Sequence, residues 1–280
     1  MAVVDGDPIV QMKPAGEMRT AENPPLVPAE SHSDRPDDVD RVIGLVLGSE
    51  ARAYPIGLLD RFEVVDDESA GFPFVVARCA LTGVAAIYDR RVGDRVLTFE
   101  NTGALWRDTL VLQDRETKSY WSAATGLALA GPLAGKRLQS IPAVVTKTED
   151  WEKVYPGSLY LDLNRSTVVP LSMRLYEASS AQGVSGSKTG DSRYRPKQEV
   201  FVVGEEQEAV AFTAEQIRNA GSARARLAGK AIEIRWDPLL ETPRAYGASS
   251  GREEIPVVPM YWFAVGRHYE KVRTFDEACD

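Results

Sequence analysis

Apolar positions are densest between Gly71 and Phe99, where the runs Phe72 to Ala77 and Val84 to Tyr88 flank the link Cys79-Ala80-Leu81-Thr82-Gly83. A third run, Val96 to Phe99, follows the polar turn Val92-Gly93-Asp94-Arg95. Runs this short and rich in Val, Ile and Phe predict three strands and two turns on a largely buried pleated surface. Upstream, Val42 to Leu47 and Ala51 to Tyr54 flank Gly48-Ser49-Glu50 and read as a hairpin. Pro55 then suits the first turn of a short helix with Ile56, Leu58 and Leu59 on its apolar side, and Asp66 to Gly71 reads as a polar turn. Downstream, Thr109 to Leu112 runs as a strand into Asp114-Arg115-Glu116-Thr117-Lys118, and Gly126 to Ala130 forms a further strand closed by Gly131-Pro132-Leu133-Ala134-Gly135. Thr148 starts a helix with Glu149 and Asp150 in the dipole-favoured first turn and Trp151 and Val154 buried; Pro156-Gly157 ends it before a strand from Leu159 to Leu163.

Four segments follow from this pattern. Residues 1–40 are proline- and acid-rich and predict an extended arm pinned by Leu26 and Val27. Residues 41–176 form a first half carrying Cys79, residues 177–197 a Ser/Gly-rich linker or mobile loop, and residues 198–280 a second, shorter half. The halves are linked by a weak repeat. A shift of 158 residues places Val42 on Val200, Glu50 on Glu208, Tyr54 on Phe212, Gly71 on Gly229 and Cys79 on Asp237. The fold class expected is therefore α+β and β-rich, built from two structurally related halves with short helices.

Composition narrows the function classes. With 33 basic and 41 acidic residues among 280, the chain carries a net charge of -8 and no Lys/Arg cluster that would track a phosphate backbone, which argues against nucleic acid. No apolar stretch approaches the roughly 20 residues that span a bilayer, and MAVVDGDPIVQMKP has neither a basic start nor an apolar signal core. The expectation is a soluble chain with no address and an open compartment. Two cysteines, Cys79 and the penultimate Cys279, make no disulfide framework.

Taken together, Val42-Ile43-Gly44 with Glu50-Ala51-Arg52-Ala53-Tyr54-Pro55, Cys79-Ala80-Leu81-Thr82-Gly83, Asp114 to Trp121 with Gly126, Gly131 to Gly135 and Trp262-Phe263-Ala264 resemble the bacterial and archaeal domain of unknown function 3179 family. The resemblance covers most of residues 24–270 and implies no activity. Family members commonly carry a histidine where this chain has Phe62, proline where it has Ala80, and cysteine or threonine at Thr82. A role that used the histidine is therefore in doubt here.

Cys79, with Thr82 and Asp89, is the sharpest catalytic candidate set. A turn thiol can be activated by N–H groups and by Arg78 or Arg90, whereas the competing reading is a small buried apolar side chain. Asp66, Asp67, Asp89, Asp114 and Glu116 sit at expected strand ends and turns, where they either converge as acid, base or cation ligands or serve their own turns. Trp106, Asp114, Glu116, Trp121 and His268 are the binding candidates. His268 could pair with Cys79, but no ligand set has metal-site spacing, so no metal ligands are assigned. Cofactor and partner, whether small ligand or protein, are not specified by any motif. Two functions remain open: a binding or interaction module, or degenerate family member, of unknown ligand; and a thiol-dependent or metal-assisted enzyme centred on Cys79. An enzyme should gather Cys79, Thr82 and a carboxylate or His268 around a cleft, whereas a binding module should bury Cys79 and open elsewhere.

Overall fold

The computed structural model describes residues 2–14, 16–31, 41–163, 171–185, 189–248 and 253–279. The described residues are β-rich, 48% strand and 17% helix, and the six short helices among them serve as connectors. Among the described residues, five sheets of four or five strands stand in a five-blade propeller-like arrangement.

The central sheet runs Ser140–Ile141, Val84–Asp89, Phe72–Cys79, Val64–Ser69, Thr20–Glu22. Its Phe72–Cys79 strand is buried on both faces. Val75, Ala77 and Cys79 face a core shared with Leu110, Leu112, Trp121, Val200 and Met260. Phe74 and Val76 face another with Ile43, Leu45, Tyr54, Leu58 and Leu59. Against the first face lies the hairpin sheet, ordered Ala128–Ala130, Tyr120–Ser122, Thr109–Asp114, Phe99–Trp106, Val10–Gln11. Against the second lies a sheet of Val144–Lys147, Arg41–Leu47, Glu50–Pro55, Leu159–Leu161 and Leu26–Pro28. The remaining two sheets centre on Glu199–Glu205 with Glu208–Phe212, and on Lys230–Asp237, and share a core of Phe201, Phe212, Ile232 and Ile234.

Local chemistry accounts for most connections. Pro55 precedes the Ile56–Phe62 helix, which ends with Glu63 in the left-handed region. Thr213 caps Ala214–Ala220 through a reciprocal bond with Gln216. The Thr148–Val154 helix carries Glu149 and Asp150 in its first turn and buries Trp151. The arm does more than lie across the body. It adds Val10–Gln11 to the hairpin sheet, Thr20–Glu22 in parallel to the central sheet, and Leu26–Pro28 to a third. Its stretch 32–40 lies outside the described residues.

Two local expectations need correction. Asp66 to Gly71 is not simply a polar turn: Val64–Ser69 is a strand of the central sheet, and Asp66 and Asp67 are buried within it because each finds partners inside. The run from Val96 to Phe99 is also divided. Arg95–Val96 closes a small ribbon with Arg91–Val92, and Phe99 opens the next sheet. The segment 177–197 is described except for 186–188; Val184 and Ser185 bond the hairpin-sheet residue Asp108, and Asp191 to Tyr194 meet Trp262, Val272 and Glu277.

Gly44 offers a direct test of this packing. A Cβ there would lie 2.2 to 2.7 Å from ring atoms of Trp151, which is itself fully buried. Gly44→Ala should cost about 1–3 kcal/mol in urea unfolding, the usual range for overpacking. Gly266→Ala, whose Cβ meets nothing, should instead gain up to about 1 kcal/mol from helix propensity.

Candidate functional site

Phe99–Trp106 and Thr109–Asp114 pair as a hairpin in which Trp106 faces Thr109, leaving Arg107 and Asp108 as a two-residue tip. Such a tip needs positive φ at both positions and ordinarily selects Asn, Asp or Gly. Arg107 has φ 53° and Asp108 φ 64°. Left-handed non-glycine residues cost about 1 kcal/mol or more each, so this tip persists because its side chains are held.

The holding is extensive. Arg107 donates to Asp7 at 2.7 Å and to the Arg267 carbonyl at 2.7 Å, and its guanidinium stacks 4.1 Å from the Trp106 ring centre. The buried Asp108 carboxylate accepts from the backbone N–H groups of Val184 and Ser185, both at 2.8 Å, from Ser185 Oγ at 2.6 Å, and from the Arg267 guanidinium. Above the Cys79 link, the Tyr176 hydroxyl donates to the Leu81 carbonyl at 2.7 Å and accepts from Gly183 N–H at 2.9 Å. The segment from Tyr176 to Ser185 thus covers the link.

Beneath it, Cys79 is fully buried, with Sγ 3.9 Å from the Asp108 carbonyl. Burial raises the thiol pKa, and the charge of Glu63 raises it further, against smaller opposing hydrogen bonds from Thr82 and Leu110. Thr82 and Thr109 hydroxyls lie 3.2 Å apart, and Thr109 Oγ1 is 2.7 Å from His268 Nε2. Burial, then the charges of Arg107 and Arg267, lower the His268 pKa to about 3, so the imidazole is neutral at ordinary pH. Two hydroxyls therefore separate a protonated thiol from a neutral imidazole, and the arrangement is not a thiolate–imidazolium pair. His268 Nδ1 is buried without a hydrogen-bond partner.

A cleft of about 820 Å³ adjoins the tip, lined among others by Asp7, Trp106, Arg107, Asp108, Arg267 and His268. Cys79 and Thr82 are not part of its lining.

The structure brings Cys79, Thr82 and His268 into one chain of contacts and sets Trp106 against His268, ring centres 5.5 Å apart. Asp89 does not join them. It pairs with Phe74 at the far end of the strand whose other end meets Cys79, about 17 Å away at strand rise, and it binds Arg91. Asp114 is committed to Thr117, Ser119 and the Trp121 indole, and Glu116 to the Thr98 N–H. Asp67 binds Tyr54 and Arg52. The five carboxylates hence form no shared rim, each having its own partner. No group of three or more His, Cys, Asp or Glu able to hold a metal occurs among the described residues. The two cysteines are not joined to each other. Sequence reading passed over Arg107, Asp108, Thr109, Ser185 and Arg267. The usable signal was an Asp-bearing two-residue gap between Trp106 and Thr109.

A family model described as Protein of unknown function (DUF3179) matches residues 18–261. No curated protein and no solved structure matches. Among the described residues, no helix is long and apolar enough to cross a membrane.

Asp66 supplies a pH test of these assignments. Its carboxyl is fully buried with one oxygen bonded to Phe99 N–H at 2.7 Å and the other without a hydrogen bond, 3.8 Å from Arg90. Desolvation outweighs the Arg90 charge and raises its pKa from 3.8 to about 7. The native carboxyl holds its proton where the unfolded one has lost it, so its contribution is complete below pH 3.8 and is lost as pH rises through about 7. Asp66→Asn should remove up to about 1.4 kcal/mol per pH unit of that fall between pH 5 and 7, read from unfolding at each pH.

Proposed function

The chain belongs to the family described as Protein of unknown function (DUF3179), and since that membership carries no activity, we propose from the site itself that it is a binding module. Its ligand enters the cleft between Trp106, Arg107, Arg267 and His268. The observation that carries this reading is the position of Cys79: fully buried, raised in pKa and outside the cleft lining. A nucleophile must reach its substrate as a thiolate, and burial opposes both requirements. A cleft with two guanidiniums, an aromatic wall and a neutral imidazole supplies orientation instead.

We also infer that the scaffold consists of two related halves. In its support, Arg41–Leu47, Ile56–Phe62, Val64–Ser69, Phe72–Cys79 and Val84–Asp89 each fall, at the 158-residue spacing, on Glu199–Glu205, Ala214–Ala220, Ser222–Leu227, Lys230–Asp237 and Thr242–Gly247. Glu50–Pro55 and Glu208–Phe212 each receive a parallel strand, Leu159–Leu161 and Val272–Thr274. Arg41 and Glu199, at corresponding positions, form a 2.9 Å ion pair. Among the described residues the hairpin sheet has no counterpart in the second half, and the cleft lies between that sheet and the second half's Glu206 and Gly266 to Glu270.

Alkylation of Cys79 in the folded protein, with Cys279→Ser so that one thiol reports, tests the binding reading against thiol chemistry. Labelling should occur only on unfolding. Fast labelling well below the reference thiol pKa of about 8.5 would replace the binding module with a thiol enzyme.

A further inference from the structure

We propose that the cradle around Asp108 is an oxyanion-binding site, occupied in this structure by the protein's own carboxylate, and that the cleft ligand carries a carboxylate or phosphate group which takes that place. This deepens the binding reading and rests on it for the cleft.

Four donors converge on the carboxylate: two successive backbone N–H groups, the Ser185 hydroxyl and the Arg267 guanidinium. Successive N–H groups that follow a left-handed residue form a concavity suited to anions, and Gly183 at φ 71° supplies that residue. A side chain on Gly183 could not be accommodated, because its Cβ would lie 2.3 Å from the Asp108 carboxyl carbon. The cradle is thus shaped to admit a planar or tetrahedral oxyanion close to the backbone. Arginine adds the fork that suits either group.

The occupant reaches the cradle from a hairpin tip whose two residues both hold left-handed backbone. Val184, Ser185, Asp108 and Arg267 all line the cleft, so the cradle adjoins the space a ligand would enter. On the same wall stands His268, whose Nδ1 is buried without a hydrogen-bond partner. Arg107, held by the arm residue Asp7, lies beside it.

The full chain with Asp108→Gly, which empties the cradle and relaxes the tip, is titrated with inorganic phosphate and separately with acetate, following the unfolding midpoint. A tethered competitor acts at an effective concentration of about millimolar or above, so its removal should tighten anion binding about tenfold or more over the unaltered protein. A response to phosphate alone identifies a phosphate-bearing ligand, and a response to acetate alone a carboxylate. Adding Arg267→Gln should abolish either response. A folded Asp108→Gly protein that gains no more from either anion than the double variant overturns the proposal. If Asp108→Gly does not fold, the Val184 and Ser185 amide resonances of the unaltered protein decide. Saturable shifts with phosphate or acetate support the site, and unchanged resonances overturn it. Neither result depends on Cys79 labelling, so failure here and failure of the binding reading are separable.

Discussion

A strand buried on both faces cannot alternate apolar with polar residues, and Phe72–Cys79 is such a strand. It separates the core of Phe74 and Val76 from that of Val75, Ala77 and Cys79. A one-residue slip would exchange the two sets and bring each side chain against the wrong sheet. The register with Val84–Asp89 and Val64–Ser69 therefore fixes where the Cys79–Gly83 link emerges, and through it the seat of the hairpin sheet. Buried charge follows the same discipline. Arg78 runs from this strand to Asp60 at 3.0 Å and to the Gly83 carbonyl at 2.8 Å, closing the link on itself.

On that seat the Arg107-Asp108 tip ties together parts of the chain that are distant in sequence. The arm arrives through Asp7, the cover through Val184 and Ser185, the helix Trp262–His268 through Arg267, and the buried thiol through the Asp108 carbonyl. Breaking one partner of a desolvated, hydrogen-bonded charge leaves the other without compensation. Order in the cover and order in the tip are consequently one property. The cleft wall inherits its shape from both.

Much of the fold was legible in the residues because its signals are local. Paired apolar runs marked the central strands, Pro55 the first helix, and Thr213 with Gln216 the capped helix Ala214–Ala220. Asp66 and Asp67 were read as turn-formers because polarity alone does not reveal a buried partner, and their partners Phe99 N–H and Tyr54 lie 33 and 13 residues away. The site was less legible for the same reason. Cys79, Thr82 and His268 stood out as rare or motif-bearing side chains, but Thr109, which joins them, is an ordinary strand residue that becomes informative only when His268 arrives from 159 residues downstream. Asp108 was hidden by a tip that lacks the glycine usually marking such turns. Asp89 failed as a partner for Cys79 on pairing alone, since the two residues occupy opposite ends of one hairpin.

The corresponding position in the proposed second half bears on what Cys79 does. Where the first half has Cys79, the second has Asp237, which accepts from the N–H groups of Leu239 and Leu240 and pairs with Arg244 at 3.3 Å. That aspartate serves its own turn and is partly exposed. The difference tracks what lies above each link. Over Cys79 sit the hairpin sheet and the Tyr176–Ser185 cover, which leave room for a small apolar side chain and no water for a charge. An ionised carboxylate in that place would be desolvated beside the partly buried Glu63, whose own pKa desolvation raises to about 7. A cysteine fills the space with a weak donor and no net charge. The residue type at this position is thus explained by the hairpin sheet and cover packed over it, without assigning the thiol any chemistry.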